Sequence, residues 1–210
     1  ELHVDIDQDA AGKCSSEAFP MKPQRILMDL RQIMGDEDIL ISDVGAHKMW
    51  VARHYPTYEP NTCLISNGFC SMAIAVPGSI SAKMIHPERN VVGLCGDGGF
   101  LMNVQDLATA VRYKIPTVIL IWDDAGYGLI KWKQENIFGK HSHVDLKNPD
   151  FVKLAESFGA KGIRVETANG FRSAMEEAFS TTDRPSVVVV PVDYSENGIL
   201  TDRLGKLLSH

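Results

Sequence analysis

Residues 96–128 read GDGGFLMNVQDLATAVRYKIPTVILIWDDAGYG, and this stretch decides the fold. Ahead of it stands VVGLC at 91–95, a short, almost wholly apolar run of the kind buried on both faces of a parallel sheet. The run stops at Gly96, Asp97, Gly98 and Gly99, where glycine lets the backbone turn sharply and approach a ligand closely. Asp97 is thereby left just past the strand's carboxyl end. Leu101, Val104, Leu107, Ala108 and Val111 recur at helical spacing with Asn103, Gln105, Asp106 and Arg112 between them, which predicts one crossover helix. Pro116 ends that helix, and TVILIW at 117–122 is a second buried strand running into Asp123, Asp124, Ala125, Gly126, Tyr127 and Gly128.

A strand, a helix and a second strand of this length form a right-handed βαβ unit with parallel strands. Both carboxyl ends then lie on one edge, where Asp97 and Asp124 meet. Two carboxylates suit a hard cation such as magnesium, which also takes phosphate oxygens. The helix after Gly99 would point its amino end at the same anion. Residue types alone leave alternatives open: a doubly wound protein whose acids only cap loops, or a receiver-type acidic pocket. Competing phosphate motifs fit worse, since the glycines lack the last position of a dinucleotide fingerprint and no GxxxxGK[ST] occurs.

Outward from this unit, ILI at 39–41, residues 162–165 and SVVVVPV at 186–192 read as further strands. Helices are expected over 24–34, 73–82, 150–158 with Asn148 and Pro149 as its cap, and 170–180. The expected architecture is α/β, a doubly wound, mostly parallel sheet of about six strands with helices on both faces. A short strand at 2–7 followed by a polar stretch makes residues 1–20 the remnant of a preceding domain and linker. Residues 21–195 form the main domain, and 196–210 a tail with an amphipathic segment at 200–208.

Composition narrows the function classes. A chain of 210 residues with 44% apolar content buries one good core. A net charge of −6 with scattered Lys and Arg argues against a nucleic-acid partner. The four cysteines show no CxxC spacing, so reduced thiols are expected. No apolar run approaches the roughly 18 residues of a membrane span, and no signal-peptide pattern opens the chain, so the expectation is a cytoplasmic protein.

GDG followed by an Asn-Asn-like pair at this separation resembles the signature of thiamine-diphosphate-dependent enzymes. From residue 39 to 197 the chain is similar to the carboxyl-terminal, diphosphate-binding domain of acetolactate synthases, in ISDVGAHKMWVARHY, SNGFCSMAIAVPGSISAK, AESFGAKGIRVE and VPVDYSEN. The resemblance implies thiamine diphosphate and Mg2+ as cofactors, with Asp97, Asp124 and the main-chain carbonyl of Gly126 as metal ligands. Asparagine is usual at Asp124, and aspartate there resembles the catabolic type.

By the same resemblance, His47, following Gly45 and Ala46, contacts the diphosphate, where residue types alone suggest a surface histidine opening a helix. Met72 wedges between the cofactor's rings, although its unbranched side chain also suits plain core packing. Gly96, Gly98 and Gly99 line the turn against the cofactor, and Tyr127, Gly128 and Leu129 lead away from it, the last two offering amides to phosphate. Ile130 and Trp132 are candidates for the substrate pocket. Lys133 stands where anabolic relatives place a pocket tryptophan. Ile130 stands where decarboxylases of the pyruvate type carry a catalytic glutamate, which favours carbon-carbon ligation of pyruvate, or another 2-oxo acid, to a second 2-oxo acid. The glutamate that activates the cofactor belongs to an amino-terminal, pyrimidine-binding domain of a partner subunit. A homodimer or homotetramer is therefore implied, inactive as an isolated domain.

Overall fold

In the computed structural model, which describes residues 12–200, six strands form one all-parallel sheet. They are β1 (Ile39–Ser42), β2 (Cys63–Ile65), β3 (Val91–Gly96), β4 (Val118–Asp123), β5 (Lys161–Arg164) and β6 (Ser186–Pro191). Their spatial order is β2-β1-β3-β4-β6-β5. The helices are α1 (Pro23–Ile33), α2 (Ala46–His54), α3 (Ala75–Ile85), α4 (Asp97–Met102), α5 (Asp106–Arg112), α6 (Gly128–Phe138), α7 (Phe151–Ser157) and α8 (Phe171–Phe179). No described helix is long and apolar enough to cross a membrane.

The central strands are the wholly apolar ones, because a strand covered on both faces cannot alternate with polar residues. Along β4, Val118, Leu120 and Trp122 point into a core shared with Leu27, Leu30, Trp50, Phe171 and Met175. Ile119 and Ile121 point to the opposite core with Phe100, Leu107 and Phe151. Helices α1, α2 and α8 thus cover one face, and α3, α4, α5 and α7 the other.

The structure departs from the sequence expectations in three places. The crossover helix is broken into α4 and α5 at Asn103, whose side chain donates to Asp106 at 2.9 Å and to the Ala73 carbonyl at 3.4 Å. A short polar side chain that competes for backbone partners interrupts a helix in this way. The cap of α7 is Asp150, which accepts the Val152 and Lys153 N–H groups, and not Asn148. Strand β2, a half-exposed three-residue edge of sequence CLI, is too short for its apolar residues to announce it. The strand expected at 2–7 lies outside the described residues, as does the segment at 200–208 apart from Leu200. Leu200 and Asn197 are buried, and Asn197 accepts the Trp50 indole N–H at 2.8 Å, so this part of the chain past 195 packs onto α2. All four cysteines are free.

Register carries the architecture to the site. Gly96 pairs with Trp122 across β3 and β4, so Asp97 and Asp123 are the first residues beyond a matched pair. The reversal of strand order beside β1 and β3 is a switch point, where loops splay apart and open sheets of this kind bind ligands.

Removing core volume should cost far more than removing a cap. In urea unfolding, Leu120→Ala is expected to lose about 2–5 kcal/mol and Asp150→Ala about 1 kcal/mol.

Candidate functional site

Three loops that leave the carboxyl edge after β1, β3 and β4 converge on one cleft, placed where open sheets of this kind bind ligands. The first brings Gly45, Ala46 and His47, the second Gly96, Asp97, Gly98 and Gly99, and the third Asp124, Gly126, Tyr127, Gly128 and Leu129. Met72 enters from the loop before α3, and Ile130 completes the far wall. Every residue singled out for cofactor binding is thus brought to one place. Trp132 and Lys133 lie further along α6, outside the cleft wall.

Asp97 is 1% exposed. Its Oδ1 accepts the Gly98 N–H at 2.7 Å, and its Oδ2 accepts the Gly126 N–H at 3.0 Å and the Asn148 amide at 2.6 Å. Burial nevertheless holds its carboxyl above the ordinary range, because the donors offset only part of the desolvation. The same Asn148 amide donates to Asp123 at 2.8 Å and so ties the acid that follows β3 to the one that ends β4. Asp124 lies over the start of α6: its Oδ2 is 2.5 Å from where a Cβ on Gly128 would stand. Burial, with the charges of Asp97 and Asp123, pushes its carboxyl up to about 7.

His47, on the first turn of α2, is 2% exposed, and its Nε2 has no hydrogen-bond partner among the described residues. Burial pushes the imidazole down to about 4, so the ring is neutral near pH 7. Trp122 meets it edge-on, with ring centroids 6.4 Å apart. Tyr194 packs on Trp122 in turn at 6.1 Å and hydrogen-bonds the His47 main chain.

Helix α6 opens on Tyr127 with no side chain capping its first N–H groups, and α2 opens on Gly45 in the same state. Uncapped helix starts of this kind attract anions. Gly98 owes its lack of a side chain to the protein itself, since a Cβ there would stand 2.6 Å from the Tyr127 ring.

Sequence reasoning missed Asn148, Tyr194 and Val44. Asn148 looked like a helix cap, and the signal against that was Asp150, a competent cap nearer the helix. Tyr194 follows the end of β6, the strand beside β4, which brings it to the same edge. Val44 lines the cleft beside Gly45 and has no chemical signal of its own.

A doubly wound fold with acids, a buried histidine and free helix starts at its switch point defines a phosphate-handling, cofactor-binding domain. Residues 43–190 match the family described as thiamine pyrophosphate enzyme, C-terminal TPP binding domain, and the chain belongs to that family. It is 38% identical over 185 residues to the acetolactate synthase of Bacillus subtilis, covering 88% of this chain and 32% of that one. With the catabolic acetolactate synthase of Raoultella terrigena it shares 35% identity over 186 residues, covering 89% and 33% of the two. The chain spans about a third of the length of the curated relatives it matches. Among solved structures, the thiamine diphosphate-dependent 4-hydroxybenzoylformate decarboxylase of Rhodococcus jostii superposes with a TM-score of 0.79 at 25% identity, over 86% of this chain and 34% of that one.

The donor set fits a diphosphate held through a cation. The buried carboxylate of Asp97 and the half-buried ones of Asp123 and Asp124, when ionised, repel an anion unless a dication intervenes. Among the described residues no three His, Cys, Asp or Glu side chains form a metal cluster, and an ion held by two carboxylates would complete its shell with main-chain, phosphate or water oxygens.

Asp124 gives a signed test. An acid whose folded pKa is raised costs folding stability as pH climbs from its ordinary 3.8 through about 7, and the cost is absent below that window. In metal-free protein, Asp124→Asn is expected to raise the melting temperature at pH 8 by at least about 2 °C and leave it unchanged at pH 3.5.

Proposed function

We propose that this chain is the diphosphate-binding part of an acetolactate synthase-like enzyme of the catabolic type, binding thiamine diphosphate through Mg2+. The observation that carries the reading is a single cleft containing the buried carboxylate of Asp97, the half-buried one of Asp124, the partnerless Nε2 of His47 and the uncapped start of α6. Asp97, Asp124 and the Gly126 carbonyl would hold the metal. The N–H groups of Gly128 and Leu129, with His47, would face the diphosphate. Met72 would stand against the rings of the cofactor. Ile130 would give the substrate side an apolar wall, and Trp132 and Lys133 would lie beyond it, toward the mouth.

Bound thiamine diphosphate supplies the electron sink with which a 2-oxo acid such as pyruvate is decarboxylated and its carbon passed to a second 2-oxo acid. The protein residues bind, orient and keep water out. The activating glutamate would come from the amino-terminal domain of a partner subunit, in a homodimer or homotetramer. Turnover would therefore need the whole assembly.

A second reading, simple decarboxylation of a 2-oxo acid, is favoured by the name of the decarboxylase that superposes on the chain. Against it stands Ile130, an apolar side chain that moves no proton. Full-length enzyme given pyruvate should release acetolactate, and release of free aldehyde without acetolactate would favour the second reading. Calorimetry on the chain itself should find weak thiamine diphosphate binding that needs Mg2+. Equal binding after chelation of the metal would overturn the metal-bridged arrangement.

A further inference from the structure

Asp43 follows β1 directly and is wholly buried, yet it forms no part of the cleft wall. Its main-chain N–H continues the sheet by donating to the Leu94 carbonyl at 2.8 Å. Its carboxylate turns instead to the loop before α3. Oδ2 accepts the Ala73 N–H at 2.9 Å and Oδ1 accepts the Ile74 N–H at 3.2 Å. The Val44 main chain donates to the same group. A buried carboxylate satisfied by main-chain N–H groups fixes the segments that supply them, because losing one donor strands a charge out of reach of water.

The segment it fixes carries Met72. Cys70 and Ala73, on either side, both adopt left-handed backbone conformations, with φ of 51° and 71°. Side-chain-bearing residues stay in that region only where their surroundings dictate it. At Ala73 the surroundings are identifiable: Asp43 takes its N–H, and Asn103 donates to its carbonyl at 3.4 Å. Gly99 belongs to the same arrangement. A Cβ there would stand 2.4 Å from Asp43 Oδ2, so glycine at this position makes room for the carboxylate.

We propose that Asp43 is a positioning residue whose carboxylate clamps the N–H groups of Ala73 and Ile74, braced against Gly99, and so sets where Met72 stands in the cleft. The inference rests on the proposed reading in which Met72 meets the rings of thiamine diphosphate while the diphosphate binds at the Asp97, Asp124 and α6 end. The carboxylate acts on the Met72 end, whereas the His47 ring is held by the Asp43 main-chain carbonyl, which a side-chain substitution leaves in place.

Two probes separate the ends: thiamine diphosphate and inorganic diphosphate, each titrated with Mg2+ by calorimetry. Asp43→Asn keeps the shape but turns an NH2 toward one of the two donors. It is expected to weaken thiamine diphosphate about tenfold while leaving inorganic diphosphate within about twofold. Met72→Ala should weaken thiamine diphosphate as well, and the double variant should bind no worse than the poorer single one. Equal losses for both probes, no loss for either, or additive losses in the double variant would overturn the proposal. Amide hydrogen exchange on the unsubstituted protein provides a check that does not depend on the variants folding. The Ala73 and Ile74 amides should exchange slowly, and exchange at the rate of an exposed loop would also overturn it. Failure of the unsubstituted protein to bind either probe would count against the functional reading instead, and amide exchange would still decide the clamp.

Discussion

The site depends on one buried carboxylate, that of Asp97. Three N–H donors from three separate places meet it: Gly98 in the turn after β3, Gly126 in the loop after β4, and Asn148 ahead of α7. Each offsets part of the cost of burying the carboxylate, so the acid joins loops that the sheet alone only brings near one another. The parallel register of β3 and β4 makes this possible, since it delivers Asp97 and Asp123 to the same level of the same edge. Asn148 then spans the two acids.

A second buried carboxylate, Asp43, does comparable work one strand away. Together the two account for features that a sequence reader assigns to ligand approach. Gly98 and Gly99 look like a cradle for phosphate, yet the structure fills the space beside them with the Tyr127 ring and the Asp43 carboxylate. In this loop glycine first lets the protein pack against itself at a point where chain crosses chain closely. The cleft is what remains once those contacts are made.

The strands most legible in the sequence are the ones buried on both faces. Residues 91–96, 118–123 and 186–191 are nearly continuous apolar runs, because sheet centre and sequence pattern express the same exclusion of water. The edges were harder. β5, with half-exposed and exposed residues throughout, reads from the sequence as 162–165, one residue late, and β2 is too short to show a period. Of the site, Asp97 and Asp124 could be read from their place at strand ends. The identity of the ligand came from resemblance at His47 and Met72, since neither a buried imidazole nor a methionine announces a cofactor by type. Asn148 and Tyr194 escaped because their roles arise from tertiary approach: each follows a different element and reaches the edge only after the sheet has assembled.

The electrostatics of the cleft decide what it can hold. Asp97 and Asp124 are both pushed up by burial, and Asp124 also by its acidic neighbours, so without a counter-charge the site disfavours its own ionisation. His47 is pushed the other way and contributes no positive charge near pH 7. Lys131 is the cation that lowers Asp124, and its ammonium is engaged by Asp145 at 2.9 Å on the outer side of α6. Dipoles of uncapped helix starts remain, worth partial charges only. An anionic diphosphate placed here would meet more carboxylate than compensation, and a dication between them reverses the sign of the interaction for both. Aspartate rather than asparagine at position 124 sharpens that requirement, because once ionised it adds a full negative charge on the side of the cleft where α6 begins.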